Sequence, residues 1–431
     1  MKKLFLKIKE DLLAYFILIA GFFLRLFYIF NFTRPENYLF SDPGGYDWRA
    51  LMMAKDEFFL FSTYWPPFFH IFLSLIYRPI LWLGLENWRI KIDVVMFAIF
   101  YIIAFWCIYK ITEKLFSKKM AIGILIALIF WYPFIFFNYF VMSENLLFLL
   151  LFLGLYILIV KPIKISNGIW LGFFWGLAFL TRPVFALAIP FFVLWGLYYK
   201  IDRKFLIAFS IIVGLIMISM MAFNFWYTNG EVKSFSSNGG VGFAMLWCDT
   251  KSLEFTADGY TFGFGPPGYV DYPDSKRVFT NVPFDNQGYY YKMGLDCLVG
   301  DPLKIITNFS SIGRLFNSHL FPTMTTEIYG WEFLRFIFRS MVGFLFLASL
   351  ITMLSLRWKW FYVKDSNKKY FWLFALIILS LFITVYLQNP AEERYMIPYT
   401  PLLMILSLPF LTNALPPLKI ESYKRLWTKK S

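Results

Sequence analysis

Ten apolar stretches, each of membrane-spanning length or slightly shorter, constrain the fold of this chain more than any motif does. They run near residues 12 to 31, 92 to 111, 120 to 138, 144 to 160, 168 to 181, 184 to 199, 205 to 226, 333 to 356, 370 to 388 and 396 to 414. About twenty apolar residues in a helix cover the roughly 30 Å of hydrocarbon in a bilayer. Because hydrocarbon offers no partner to a backbone amide, such segments satisfy their own hydrogen bonds as α-helices. The sequence therefore predicts an all-α polytopic membrane protein with about ten transmembrane helices and both termini on one side.

Composition agrees, since 59% hydrophobic and 16% charged residues are too apolar for a soluble globule of 431 residues. The net charge of +14 falls in short clusters between the apolar stretches rather than on a separable basic face, which excludes a nucleic-acid-binding reading. Lys110/Lys114/Lys118/Lys119, Lys161/Lys164, Lys200/Arg203/Lys204, Arg357/Lys359/Lys364/Lys368/Lys369 and Lys424/Arg425/Lys429/Lys430 all share the side of the N-terminal lysines. The positive-inside rule makes that side cytoplasmic. The run Leu12 to Phe32 follows a Lys-rich lead and lacks a small-residue cleavage site, so it is expected as a retained helix. Phe68 to Leu85 is an eleventh apolar candidate, opened by Pro66-Pro67 and interrupted by Arg78-Pro79. Counting it as a span would invert every later loop, so it is expected to lie in the outer interface.

The chain divides into an N-terminal transmembrane module, 1 to 226, whose first outer loop spans 32 to 91; a large extracytoplasmic loop, 227 to 332; and C-terminal helices with a basic tail, 333 to 431. The large loop is polar and rich in Gly, Pro and Tyr, and Gly239-Gly240-Val241-Gly242 and the Gly263 to Gly268 segment are expected as turns in it. Cys107 lies in a span, whereas Cys248 and Cys297 share the large loop, where pairing depends on an oxidising compartment.

The apolar stretches carry almost no ionisable residues. Polar residues gather instead on the outer side: Asp42, Tyr46, Asp47, Arg49 and His70 in the first loop, Ser143-Glu144 at a helix start, Arg182 in the Arg182-Pro183 break, and Glu392-Glu393-Arg394-Tyr395 before the last span. A transport path would place such groups near the midplane. Each residue has a structural and a chemical reading. Asp42 and Glu144 cap helix starts, where the dipole favours an acid, or act as acids in a reaction. Asp47 is a solvated or paired face residue, and His70 a packed interfacial histidine. Arg182 and Arg394 are snorkelling anchors or planar forks for phosphate. With His319 the only other histidine, a zinc site of several histidines and cysteines is excluded. No GxSxG elbow, P-loop or HExxH pair is present, so hydrolase, ATPase and zincin chemistry have no basis.

The order of motifs is more specific than any one of them. Asp42 with Tyr46 four residues on is followed by a Pro-Pro helix, Arg89, Ser143-Glu144, Gly172-x-x-x-Gly176-Leu177-Ala178-x-Leu180-x-Arg182-Pro183 and Arg394-Tyr395-x-x-Pro398-x-x-Pro401. This series resembles the GT-C glycosyltransferases, in particular the branch of the protein O-mannosyltransferases and the lipid A aminoarabinose transferase, from about residue 12 to 412 and least across 243 to 332. The resemblance implies an enzyme that transfers a sugar from a polyprenyl-phosphate donor to a glycan, lipid or protein acceptor on the extracytoplasmic face. It implies Asp42 as catalytic base, Glu144 as a second acid, and Arg182 and Arg394 near the lipid phosphate. Tyr46, Asp47, Arg49, His70 and Tyr395 stand beside them as candidates for substrate binding. No cofactor is required, and the sequence leaves a divalent cation open.

Two departures qualify the likeness: Asp42 is followed by Pro43 rather than a second acid, and Trp65-Pro66 stands where the aminoarabinose enzyme has lysine next to proline. Displacing a lipid phosphate needs a base for the acceptor and cations for the leaving group, and a single in-line step inverts the anomeric centre. The competing readings are a polymerase or ligase acting on diphosphate-linked glycans, and a lipid or solute transporter. The Lys, Ile and Phe richness suits a bacterial inner membrane, with the endoplasmic reticulum as the alternative.

Overall fold

Long uninterrupted apolar runs make long helices, and prolines decide where they break. The structure, a computed structural model, describes residues 2 to 32, 35 to 39, 41 to 56, 66 to 227, 229 to 230, 235, 238 to 248, 253 to 255, 262 to 264, 278 to 280, 286 to 316, 331 to 358, 363 to 388 and 393 to 414. Trp65, His319, Lys359, Glu392, Gly265 to Gly268 and the tail from Lys424 lie outside the described residues.

The N-terminal module contains α1 (Lys2–Phe32), α2 (Ser41–Ala54), α3 (Pro67–Trp82), α4 (Arg89–Leu115), α5 (Lys118–Phe130), α6 (Tyr132–Phe137), α7 (Ser143–Val160), α8 (Ile165–Thr181), α9 (Ala188–Tyr198) and α10 (Arg203–Tyr227). Beyond it lie α11 (Asn238–Trp247), α12 (Gln287–Gly300), α13 (Lys304–Thr307), α14 (Trp331–Trp358), α15 (Asp365–Gln388) and α16 (Thr400–Ala414). Three short strands, Leu253–Phe255, Phe262–Phe264 and Val278–Thr280, pair antiparallel in sequence order within the large loop.

Among the described residues, seven helical segments are long and apolar enough to cross a membrane: Asp11–Phe32, Glu86–Leu115, Ser143–Val160, Arg203–Tyr227, Phe336–Arg357, Asp365–Leu387 and Arg394–Asn413. The other three stretches of the expected ten form shorter helices, the 13-residue α5, the 17-residue α8 and the 11-residue α9. The stretch 120 to 138 is cut at Trp131, whose backbone is extended just before α6, a helix that carries Pro133 in its first turn. A proline there has no N–H for the preceding turn and its ring clashes with it, so the chain leaves the helix and starts again. Arg182 is extended for the same reason ahead of Pro183. The first loop holds two helices, α2 and α3, the latter entered through Pro66-Pro67.

Helix α7 is apolar on every side and correspondingly buried on every side, packed between α4 and α8. Helix α8 lies against α10 along Gly168, Gly172 and Gly176. A Cβ at Gly168 or Gly172 would stand 2.5 or 2.7 Å from the carbonyl oxygen of Phe205 or Phe209. The glycine motif therefore brings two backbones together, a packing role that membrane helices give to small residues.

The lysine-bearing ends meet at one end of the bundle. Asp11 of α1 takes Lys110 Nζ at 2.5 Å and the Tyr109 hydroxyl at 3.0 Å from α4, the Asn367 amide donates to Leu115 O, and the Trp195 indole donates to Lys369 O. The helices also bury two ionisable groups that the hydropathy reading passed over. Arg25 of α1 is fully buried with its guanidinium 4.9 Å from the Phe105 ring, and Asp93 is buried near the start of α4. Both sit in otherwise strongly apolar windows, which mean hydropathy averages away.

In the large loop a disulfide joins Cys248 to Cys297 and ties α11 to α12. The Gly239 to Gly242 run lies inside α11 rather than in a turn. Close packing explains this: a Cβ at Gly240 would stand 2.9 Å from Gln287 O, and one at Gly294 of α12 would meet Phe243.

Candidate functional site

At the end of the bundle away from the lysines, α2, α7, α8 and the 3-10 segment Glu393–Tyr399 converge. Asp42 sits in the first turn of α2, where the free N–H groups favour an acid. Its carboxylate reaches across to Arg394 Nη2 at 2.5 Å, so capping is not its whole role. Glu144 sits in the first turn of α7, but the helix cap at Met142 has no side-chain hydrogen bond, so the capping reading of Ser143-Glu144 is not realised. Glu144 instead lies between the two arginines: Arg182 Nη2 contacts Oε1, and Arg394 Nε lies 3.4 Å from the same oxygen.

Two carboxylates and two guanidinium groups thus share one small volume, and neither arginine snorkels, since both are buried. Glu144 is 1% exposed, whereas the Asp42 side chain is 26% exposed and forms the open edge. Placing ions out of water costs several kcal/mol each unless opposite charges accompany them. Here the signs balance.

Aromatic and hydroxyl groups complete the cluster. The Tyr395 ring lies 4.8 Å from the Arg182 guanidinium and 5.7 Å from that of Arg394, holding both by cation–π attraction. Ser143 Oγ donates to Glu144 Oε2 and stands 3.3 Å from the Tyr46 hydroxyl; since serine has one hydrogen, Tyr46 is the donor to Ser143. Burial pushes the Tyr46 hydroxyl up to about 12, so it remains a donor. At Arg182 burial opposes the charge, but Glu144, helped by Tyr395 and Tyr46, favours it and the net shift is upward. The fully buried Tyr399 hydroxyl and Arg182 Nε have no hydrogen-bond partner among the described residues. Buried polar atoms left in this condition each cost about 1–3 kcal/mol, which a bound polar ligand would relieve.

The remaining sequence candidates lie elsewhere. Asp47, one turn beyond Asp42, is buried in a separate network, accepting from Arg89 Nε and Nη2 at 2.9 Å each and from the Tyr77 hydroxyl at 3.0 Å. Tyr77 also stands 2.5 Å from Asp93 Oδ2. Arg49 donates to Gly45 O on its own helix, and buried His70 of α3 stands within electrostatic reach of it. Burial first, and Arg49 second, pull His70 down to about 3, so it is a neutral packed histidine.

The structure therefore gathers Asp42, Tyr46, Glu144, Arg182, Arg394 and Tyr395, and leaves Asp47, Arg49 and His70 outside. Sequence reasoning passed over Tyr399, although it follows Pro398 in the same Arg-Tyr-x-x-Pro motif, and Ser143, read only as a cap. Among the described residues no three His, Cys, Asp or Glu side chains gather as a metal-binding group. No family model matches the chain, and no curated protein matches it either.

Proposed function

We propose that this protein is an integral-membrane glycosyltransferase of GT-C type, which transfers a sugar from a polyprenyl-phosphate donor to a glycan, lipid or protein acceptor. The observation that carries the proposal is the convergence of Asp42, Glu144, Arg182 and Arg394 at one end of the apolar bundle, with Asp42 at its open edge. In this reading α5 with α6, α8 and α9 complete about ten crossings, and the lysine end is cytoplasmic by the positive-inside rule. The charge cluster then faces outward, at the depth where a lipid phosphate sits.

The chemistry follows from the charges. A phosphate anion entering beside Arg182 and Arg394 competes with Asp42 for the Arg394 fork, which suits a planar bidentate contact. Released from that pair, Asp42 accepts the proton of the acceptor hydroxyl as its oxygen bonds to the anomeric carbon. The carbon–oxygen bond to the phosphate breaks, and the leaving polyprenyl phosphate takes the electron pair and is stabilised by the two arginines. Glu144 keeps Arg182 in place and lends negative potential to the oxocarbenium-like transition state. The single displacement inverts the anomeric configuration.

Transfer measured with purified donor lipids tests this reading. Asp42→Asn is expected to lose activity by roughly 10²–10⁴, the usual contribution of a general base; full activity in a folded Asp42→Asn protein would sink it. A donor panel separates carriers, since preference for a diphosphate-linked glycan would identify a polymerase or ligase instead.

A further inference from the structure

The end of α12, α13 and the 3-10 segment Asn308–Phe316 belong to the polar loop, yet they carry a strip of exposed apolar side chains. Val299, Leu303, Ile305, Ile306 and Phe309 are between 48% and 75% exposed. A cluster of this kind facing water is unfavourable and marks an interaction surface.

Its position identifies the partner. The Tyr386 hydroxyl near the outer end of the α15 span donates to Ile305 O at 2.5 Å, and the Phe309 and Tyr386 rings lie 6.1 Å apart. The Trp247 indole donates to Leu387 O, the last residue of that span, and Lys304 Nζ donates to Trp247 O. One turn deeper, Phe316 packs on Phe346 of α14 and Phe382 of α15, and Leu315 is fully buried. The segment thus enters the bundle wall from its rim, with one side packed and the other bare. Phe333 and Phe336 at the start of α14, and Leu387 of α15, are likewise exposed, so the strip continues the bare apolar band of the spanning helices.

We propose that this strip is a membrane anchor, inserted into the bilayer leaflet at the site end of the bundle. Its partner is the acyl and glycerol region of a lipid leaflet, because the strip joins a band that already faces acyl chains and its one lysine is turned inward onto Trp247 O. Interfacial elements of this kind bury an apolar face just below the headgroups. The anchor also touches the Glu393–Tyr399 segment that carries Arg394. The leaflet thereby fixes the depth of one wall of the charge cluster. This inference is independent of the chemistry at that cluster.

The test uses the full chain, one copy per phosphatidylcholine nanodisc, with single nitroxide labels at Val299→Cys, Ile306→Cys and Phe309→Cys. Native Cys107 is buried and Cys248 is bonded to Cys297, so the added thiol is the reactive one. Collision with oxygen and with a polar nickel chelate is measured against a lipid-facing control, Phe336→Cys, and a water-facing control, Asn286→Cys. Two or more strip positions matching the lipid-facing control support the anchor. Matching the water-facing control overturns it, as does protection that arises only when two copies share a disc. Leu303→Cys replaces any variant that fails to fold.

Discussion

Asp42 and Asp47 stand five residues apart on one helix, yet they enter two buried charge clusters of opposite character. Asp47 lies in a closed network: Arg89 engages both of its oxygens, Tyr77 adds a third contact, and the partners come from α3 and the neighbouring start of α4. Asp42 lies in an open one, with partners from α7, α8 and the segment before α16, a partly exposed edge, and unsatisfied polar atoms on Arg182 and Tyr399. A cluster whose donors are all engaged has nothing to offer an anion, and around Asp47 the one buried atom without a partner among the described residues is an acceptor, Asp93 Oδ1. One that leaves donors unsatisfied has capacity to bind. The difference is why the proposed function is placed at the second cluster and a packing role at the first.

The largest effect that sharpens this contrast is on rate. Asp42→Asn should lower transfer by roughly 10²–10⁴ with a thermal midpoint close to wild type, because its side chain is at the open edge. A large loss of stability instead would return Asp42 to a structural role. Next comes Arg89→Met, which strands a buried Asp47 and should destabilise the fold by about 2–3 kcal/mol, discounted for the partial exposure of Arg89, while turnover per folded molecule stays unchanged. Denaturation in parallel with activity titration reads both.

A matched pair of tyrosines comes third. Tyr77→Phe removes a hydroxyl that serves two carboxyl groups and should cost about 1–3 kcal/mol of stability. Tyr399→Phe removes a buried hydroxyl without a partner and should raise stability, by up to about 1–3 kcal/mol, while weakening donor affinity about tenfold. Equal stability losses in the two variants would erase the distinction between the clusters.

The smallest effect near neutral pH, growing only on acidification, concerns His70. His70 titrates near 3 when folded and near its ordinary value of 6.5 when unfolded. The unfolded chain therefore binds the extra proton first. The stabilisation is complete above pH 6.5 and is lost as pH falls toward 3, about 2 kcal/mol of it by pH 5. His70→Gln should flatten that part of the stability profile, and an unchanged slope would remove His70 as its source.

The helical class and the positions of most helices were legible in the sequence because apolar runs and lysine clusters are local signals of the bilayer. Helix breaks were legible where proline marks them, as at Arg182-Pro183. Lengths were less so: whether α5, α8 and α9 cross alone depends on neighbours that hydropathy does not see. Arg25 and Asp93 escaped for the same reason, since their surroundings are supplied by other helices. Residue type and position relative to helix ends singled out Asp42, Glu144, Arg182 and Arg394, the four side chains that meet. The same criteria also proposed Asp47, Arg49 and His70.

By itself the sequence determined that this chain is a helical membrane protein with its lysines at one end and its polar residues at the other, because desolvating peptide groups and charges is costly wherever the chain later folds. Only the tertiary structure decided which polar residues meet. A rotation of five residues along α2 sends Asp47 toward Arg89 and Tyr77, and Asp42 toward Arg394. That choice rests on where α7, α8 and the Glu393–Tyr399 segment arrive in space, and no local run of residues encodes it.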